Sequence, residues 1–462
     1  MDPSIVHTTL NPLDHLPPRQ YTGFVFYLPL KPGVEAPVAF SALQHGLHKT
    51  FQQLPWLSGK VAWQAKDTPG WRPGQLEIQH SPATANESRP HQLTYNELDS
   101  SLDYSDLKAS GFPANAVDDN ILLPFPFFPD ISVSADVFVA QANFIPGACL
   151  LACATVHSAC DGTAVLTIFN LWADHCRKIL DRIWAKDAVH KSPSEVDPAT
   201  WQLLSLPPPG TNMKPPLEHN LKPESNVSGK KTLKTSIFYI PSSHFTALKK
   251  EYVHQPGTDR VSGNDMALGF IWRSLTKAQA AVQEFPENTT AILDVPIDGR
   301  PDYSLPSTYL GSIVLVNRVT LPLSTLTSTG TSFAEVGQAI RGTFSTISPA
   351  VMLDAYTLIK TMPDYTVFDL RTHPIDGANL MVSSLLTLPA HVVSFGDEVF
   401  ANGGKPETAR PLMSGFNKQE RICFVLPPKS HGGIEIVVSL FEDEMGKLLE
   451  DEDFGKYAMF LS

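Results

Sequence analysis

An almost wholly apolar run, Ala148 to Val156, stops at a histidine, and Asp161-Gly162 then turns the chain into a second apolar pattern. No other segment constrains the fold as strongly. The run reads as a strand buried on both faces. Beyond the turn, Val165, Phe169, Trp172, Cys176 and Ile179 recur at spacings of four and three, which puts one apolar stripe on a helix of about five turns. His157 is thereby placed in a strand-to-helix loop, where rigid elements on either side can hold a reactive group in position.

A neutral imidazole in such a loop can take a proton from a hydroxyl, because an unperturbed histidine titrates near ~6.5. Asp161, four residues on, has two roles open to it: it can orient the ring directly, or turn away and fix the loop through an arginine. A lone histidine at a strand end is more often a satisfied polar residue than a base, so the loop by itself does not decide its chemistry. A metal site built on His157 and Asp161 is disfavoured, since no third ligand stands at helical spacing and His175 lies at the far end of the following helix.

Length and composition set the frame. With 462 residues, 42% of them hydrophobic and spread along the whole chain, two domains can each bury a core without disulfides or metal. The densest breaker region lies between Pro193 and Pro223, with eight prolines, and ends in the polar run Glu224 to Lys231. It reads as an extended crossover. The expected division is a first domain over 1–190, a Pro-rich crossover over 191–232 and a second domain over 233–462. Strand-like Tyr21–Leu30 and helical Ala39–Gln53 precede it. After it come strands at Thr235–Ile240, Thr290–Val295, Leu380–Leu386, Arg421–Leu426 and Glu435–Leu440, with helices at Ser262–Val282, Phe333–Phe344 and Met352–Lys360. Strands and helices alternate, so the class is α/β. Ser262 and Asn264 are suited to cap their helix, and the acidic tract Glu442–Asp453 reads as a solvated helix face. The aromatic loop Phe125–Pro129 reads as a cover over the core, with the wall of a ligand pocket as the alternative.

The formal net charge of −12 argues against nucleic acid as a partner. Five cysteines without a CxxC pair fit a reducing compartment. Met1-Asp2-Pro3-Ser4 is acidic where a leader would be basic, and no window approaches the roughly 18 apolar residues of a membrane span. A cytoplasmic protein that makes no membrane contact is expected.

His157-Ser158-Ala159-Cys160-Asp161-Gly162 matches the HxxxDG motif of the BAHD acyltransferases, and the chain around it is most similar to their fungal branch, which includes the trichothecene 3-O-acetyltransferases. Leu13-Asp14 before Pro17-Pro18-Arg19 and Tyr21 resembles the family's opening segment, and Leu54 to Lys60 its P-x-L-x-G-K/R stretch. Gln141 to Gly147 resembles the strand pair leading into the motif. In the second half, Val261 to Asp265 with Ala267 to Trp272 looks like the S-T-N-D helix, and Asp298-Gly299-Arg300, with Pro306, Tyr309 and Gly311, resembles the arginine loop. The resemblance runs from about residue 8 to 460. Asp453-Phe454-Gly455 spells part of the DFGWG signature but stands too near the C-terminus. The matching order is Ser383-Ser384-Leu385, His391 to Gly396, then Gly404-Lys405-Pro406. There Ser394 stands in place of the signature's aspartate and Asp397 in place of its tryptophan.

The resemblance implies two chloramphenicol-acetyltransferase-like α/β domains with a channel between them, and a usually monomeric enzyme. It implies acyl transfer, acetyl foremost, from acyl-CoA as co-substrate to a hydroxylated small molecule of secondary metabolism, with no permanently bound cofactor and no metal. His157 would be the general base in a ternary complex. Asp161 and Arg300 would form a structural pair, Gly162 would let the backbone pass closely into the helix, and Ser262, Ser383 and Ser384 would line the donor site. Apart from the resemblance, Lys230-Lys231 could meet the phosphates of CoA, although a pair of lysines in a polar loop is usually plain surface. The departures at Ser394 and Asp397 motivate a second expectation: a CoA-independent enzyme using His157 for cyclisation, elimination or isomerisation. A non-catalytic binding protein on the same fold is the third.

Overall fold

A computed structural model describes residues 4–98, 102–177, 232–252, 260–368, 375–388 and 393–462. The Pro-rich crossover, Lys230-Lys231, Ile179 and His391 lie outside the described residues.

The first half of the chain contributes strands β1 (Val6–Thr9), β2 (Tyr21–Pro29), β3 (Lys60–Trp63), β4 (Leu76–His80), β5 (Leu93–Glu97), β6 (Ala135–Asp136), β7 (Phe138–Ile145) and β8 (Ala148–Val156). The second contributes β9 (Lys234–Ile240), β10 (Thr290–Asp298), β11 (Val314–Pro322), β12 (Asn379–Ser384), β13 (Thr408–Pro411), β14 (Ile422–Val425), β15 (Ile434–Leu440) and β16 (Met459–Phe460). They form three sheets, ordered β1-β4-β3-β6, β13-β2-β8-β7-β5 and β11-β10-β12-β14-β15-β9-β16.

β8 is the axis of the five-stranded sheet, and all nine of its residues are buried. It runs antiparallel to β2 from Tyr21↔Val156 to Pro29↔Ala148, and antiparallel to β7 across a tight turn at Gly147. The helices Ala36–Gln53 and Gly162–Cys176 pack together beside it. The Trp172 indole N–H donates to the Leu43 carbonyl at 2.8 Å, and a side chain at Gly46 would overlap the Cys176 thiol. Phe26, Phe138, Phe169 and Trp172 meet edge-to-face in the layer between, the geometry aromatic quadrupoles favour.

The helix Gly263–Ala280 supports the seven-stranded sheet and is buried on nearly every side. The halves are not simply side by side. β13, from the second half, adds to the first half's sheet along β2, and Val393, Phe395 and Phe400 pack into the core around β8. Arg410 on β13 is buried. It donates to the carbonyls of Gly111 and Phe112 and pairs with Glu435 of β15 at 2.7 Å, where Lys429 also reaches at 2.8 Å. Although burial opposes it, Arg410 and Lys429 together hold the Glu435 carboxyl below its ordinary pKa.

One expectation is corrected. Glu444, in the acidic helix Glu442–Glu450, is buried and pairs through both oxygens with Arg421, so that helix is not a wholly solvated face. Short strands such as β1, β3, β6 and β16 carry too few residues to show alternation and had no signal in the sequence.

Arg410→Met is expected to cost about 3 kcal/mol in urea unfolding, the low end of what a broken buried pair costs, because Lys429 still covers Glu435.

Candidate active site

His157 is the first residue past β8 and is half-buried. Its backbone N–H donates to the Gln20 carbonyl at 2.8 Å, which fixes the strand exit against the segment entering β2. Nδ1 of its ring is sealed from solvent and makes no hydrogen bond, so Nε2 is the nitrogen left open. Burial lowers the imidazole pKa below 6.5, with the backbone of His157 and Cys160 and the charge of Asp161 acting the other way. The ring is therefore neutral near pH 7.

Asp161 is turned away from that ring. It caps the helix Gly162–Cys176 by accepting from Ala164 N–H at 2.9 Å. It also takes both arms of Arg300 at 2.8 and 2.9 Å and the N–H of Ile313 at 2.9 Å. Of the two roles open in the sequence, the geometry is that of a loop carboxylate paired with arginine. Arg300, also buried, spends its remaining donors on the carbonyls of Tyr309 and Gly311 and on Asp298. Thr163 completes the bridge by donating to Asp298 at 3.0 Å. Asp14 adds a second buried carboxylate, which accepts from Ser312 N–H at 2.8 Å and Asn11 N–H at 2.7 Å. Burial pushes its pKa well up. The sequence reading quoted Asp14 without giving it a role, because the partner that explains it stands some three hundred residues away.

Gly162 differs from its expectation. A Cβ there would meet nothing within 4 Å, so close passage is not the reason for a glycine. The residue faces a cavity of about 530 Å³ instead. Phe24 and Phe26 on β2 and Val165, Leu166 and Phe169 on the helix line its apolar side. Leu385, Leu388, Lys405 and Lys429 approach from the second half. β2 runs from Phe24 to Leu28 without a polar residue, so no alternation in the sequence singles out Phe24 and Phe26.

The three serines lie beside this cavity; among the described residues they do not line it. Ser262 caps the helix Gly263–Ala280 in a reciprocal box with Asp265. Ser384 donates to Asn264 Oδ1 at 2.6 Å, and Ser383, on the other face of β12, is half-buried. Ser394 donates to the Gly403 carbonyl at 2.6 Å, and Phe395 packs against Trp172. Asp397 is 69% exposed and pairs with Lys31, outside the cavity. Among the described residues no cluster of three or more His, Cys, Asp or Glu could hold a metal ion, and no helix is long and apolar enough to cross a membrane.

The family model for the trichothecene 3-O-acetyltransferase-like N-terminal domain matches residues 20–176, and the Transferase family model matches residues 115–454. The chain belongs to the Transferase family. This transferase is an acyltransferase of the BAHD type. It is 30% identical, over 97% of its length, to the isocyanide synthase-NRPS hybrid crmA of Aspergillus fumigatus, and spans 31% of that protein. It is 25% identical to the eremophilane O-acetyltransferase ORF8 of Penicillium roqueforti, over 98% of both chains. Among solved structures, F. sporotrichioides TRI101 complexed with coenzyme A and T-2 aligns with a TM-score of 0.79 at 20% identity, over 99% of this chain and 100% of that one. Vinorine synthase aligns with a TM-score of 0.64 at 15% identity, over 98% and 96%. The transferase thus has the mixed α/β fold of these two-domain enzymes.

Asp161→Asn is expected to cost about 3–5 kcal/mol, as for other broken buried pairs, read as a lowered urea midpoint. Arg300→Lys is expected to cost a similar amount, because an ammonium cannot reproduce the two-armed contact.

Proposed function

We propose that the chain transfers an acyl group, acetyl foremost, from acyl-CoA to a hydroxyl of a small-molecule secondary metabolite, with His157 as general base. The observation that carries this reading is the state of one ring: a neutral imidazole, Nδ1 sealed and Nε2 open, whose neighbouring carboxylate is fully committed to Arg300.

In this reading donor and acceptor are bound together. The proton on Nδ1 leaves the Nε2 lone pair free to accept the hydroxyl proton as the oxygen attacks the thioester carbonyl. The tetrahedral oxyanion collapses, the C–S bond breaks, and the imidazolium returns its proton to the departing thiolate. Asp161 and Arg300 shape the loop and touch neither substrate, while Gly162 borders the larger cavity. The apolar side of the larger cavity suits a pantetheine arm and acyl chain. Lys405, exposed at its edge, suits a phosphate. Ser262, Ser383 and Ser384 are assigned to the donor side. TRI101 has been seen with coenzyme A and T-2, and with coenzyme A and deoxynivalenol, which supports CoA and a hydroxylated acceptor here. The reading takes the chain as a monomer in the cytoplasm, divided at 191–232.

The CoA-independent alternative drew on Ser394 and Asp397. Neither side chain lines the cavity among the described residues, so their departure from the family signature does not remove a group from the proposed donor site.

His157→Ala is expected to lower kcat by about 10²–10⁴-fold, the range for loss of a general base, while saturating CoA still raises the melting temperature. For the unmodified protein, CoA at a hundred times its dissociation constant should add about 2.7 kcal/mol. Absence of any such shift would count against CoA as the donor, and unchanged turnover in the variant against His157 as the base. Because the base must be unprotonated and its pKa is lowered, kcat/KM should stay level through pH 7 and fall only below ~6.5. A pH–rate profile between pH 4.5 and 8 checks this.

A further inference from the structure

A second cavity, of about 330 Å³, opens on the opposite face of the β2–β8 pair. Tyr21 and Gly23 on β2 and Ala154 on β8 line it, whereas Phe24 and Phe26, which alternate with the first two, line the larger cavity. The two spaces are separated by the sheet itself.

The walls of this second space are aromatic. Phe125, Phe127 and Phe128 are all half-buried and line it. Phe125 meets Tyr21 edge-on with centroids 6.1 Å apart, and Phe127 meets Phe128 at 4.8 Å. Gly415 lets Phe127 close the box, since a Cβ there would overlap the ring. The aromatic loop is thus both a cover over the core and the wall of a pocket.

One carboxylate lines the box. Asp119 accepts from the Ser414 N–H at 2.7 Å through Oδ2, and among the described residues no cationic side chain pairs with it. Burial pushes its pKa up against the pull of Ser414. Lys418 also lines this cavity but is exposed, and among the described residues no ion pair joins it to Asp119. A carboxylate with no counter-ion among the described residues, beside four aromatic rings, is chemistry that binds a cation: the ring quadrupoles attract positive charge and the carboxylate supplies a charge-assisted hydrogen bond. A neutral ligand of the same shape would use the rings and leave the desolvated carboxylate uncompensated.

We propose that this cavity binds a small molecule carrying a basic nitrogen, its ammonium seated against Tyr21, Phe125, Phe127 and Phe128 and paired with Asp119. The site stands apart from the acyl-transfer reading, since no residue assigned to that chemistry lines it.

The test titrates the full chain by calorimetry at pH 7 with 2-phenylethylammonium and its neutral analogue 2-phenylethanol. The ammonium is expected to bind at least about tenfold more tightly, as a desolvated cation–π contact plus a charged pair would give. Asp119→Asn keeps an oxygen for Ser414 N–H, and should bring the ratio of the two affinities close to one. Phe128→Ala serves as a second variant and should weaken the ammonium more than the alcohol. Equal binding of the two probes to the unmodified chain would overturn the proposal. So would an unchanged ratio in both variants. CoA titrated into the same samples is expected to bind all three proteins alike, and its failure would bear on the donor reading alone.

Discussion

Everything near the His157 loop hangs on one buried ion pair. Asp161 and Arg300 are 139 residues apart in sequence, and both are almost completely shielded from water. Two charges in that position are tolerated only if their hydrogen-bonding capacity is filled. Here it is: Asp161 also caps a helix and holds Ile313, while Arg300 gathers the carbonyls of Tyr309 and Gly311. A single contact therefore ties the exit of β8, the start of the Gly162–Cys176 helix and the loop after β10 into one rigid body. His157 gains its position from this arrangement without being bonded to either charge.

The same histidine chemistry serves a contrasting purpose elsewhere in the chain. His15 is fully satisfied, with Nδ1 on the Asn11 carbonyl at 2.9 Å and Nε2 accepting from Leu76 N–H at 3.0 Å, and burial pushes its pKa down to about 3. It is a structural histidine in the strict sense. In His157 burial also pushes the pKa below its ordinary value, but one ring nitrogen is open and the other is sealed without a partner. Burial alone therefore does not separate the two rings; unused hydrogen-bonding capacity does.

Much of the architecture was legible because it is written in local patterns. The unbroken run of β8, the four-three stripe after it and the Ser262 cap each predict their element within a few residues. The Asp161–Arg300 pairing was legible only through resemblance to a family, since no local pattern links residues so far apart. Asp14, Arg410 and the Phe24/Phe26 wall were not legible. Each depends on which distant backbone comes alongside, and a sequence read along its own length carries no such information. The role given to Gly162 missed for a related reason: a glycine after a turn looks like close packing, whereas here it faces open space.

β13 carries a consequence that concerns how the molecule comes to exist. This short strand reaches the first half's sheet only after the chain has run through some 380 further residues from β2, so a ribosome must have released all of them before that sheet can be completed. Until then β2 is an edge, lined with Phe24, Val25, Phe26 and Tyr27 and without the strand that will cover it. Long-range closure of this kind is slow, and open edges of that composition invite pairing with other chains. The lock that joins the finished halves so firmly leaves the first half's sheet incomplete in the nascent chain until β13 has been made.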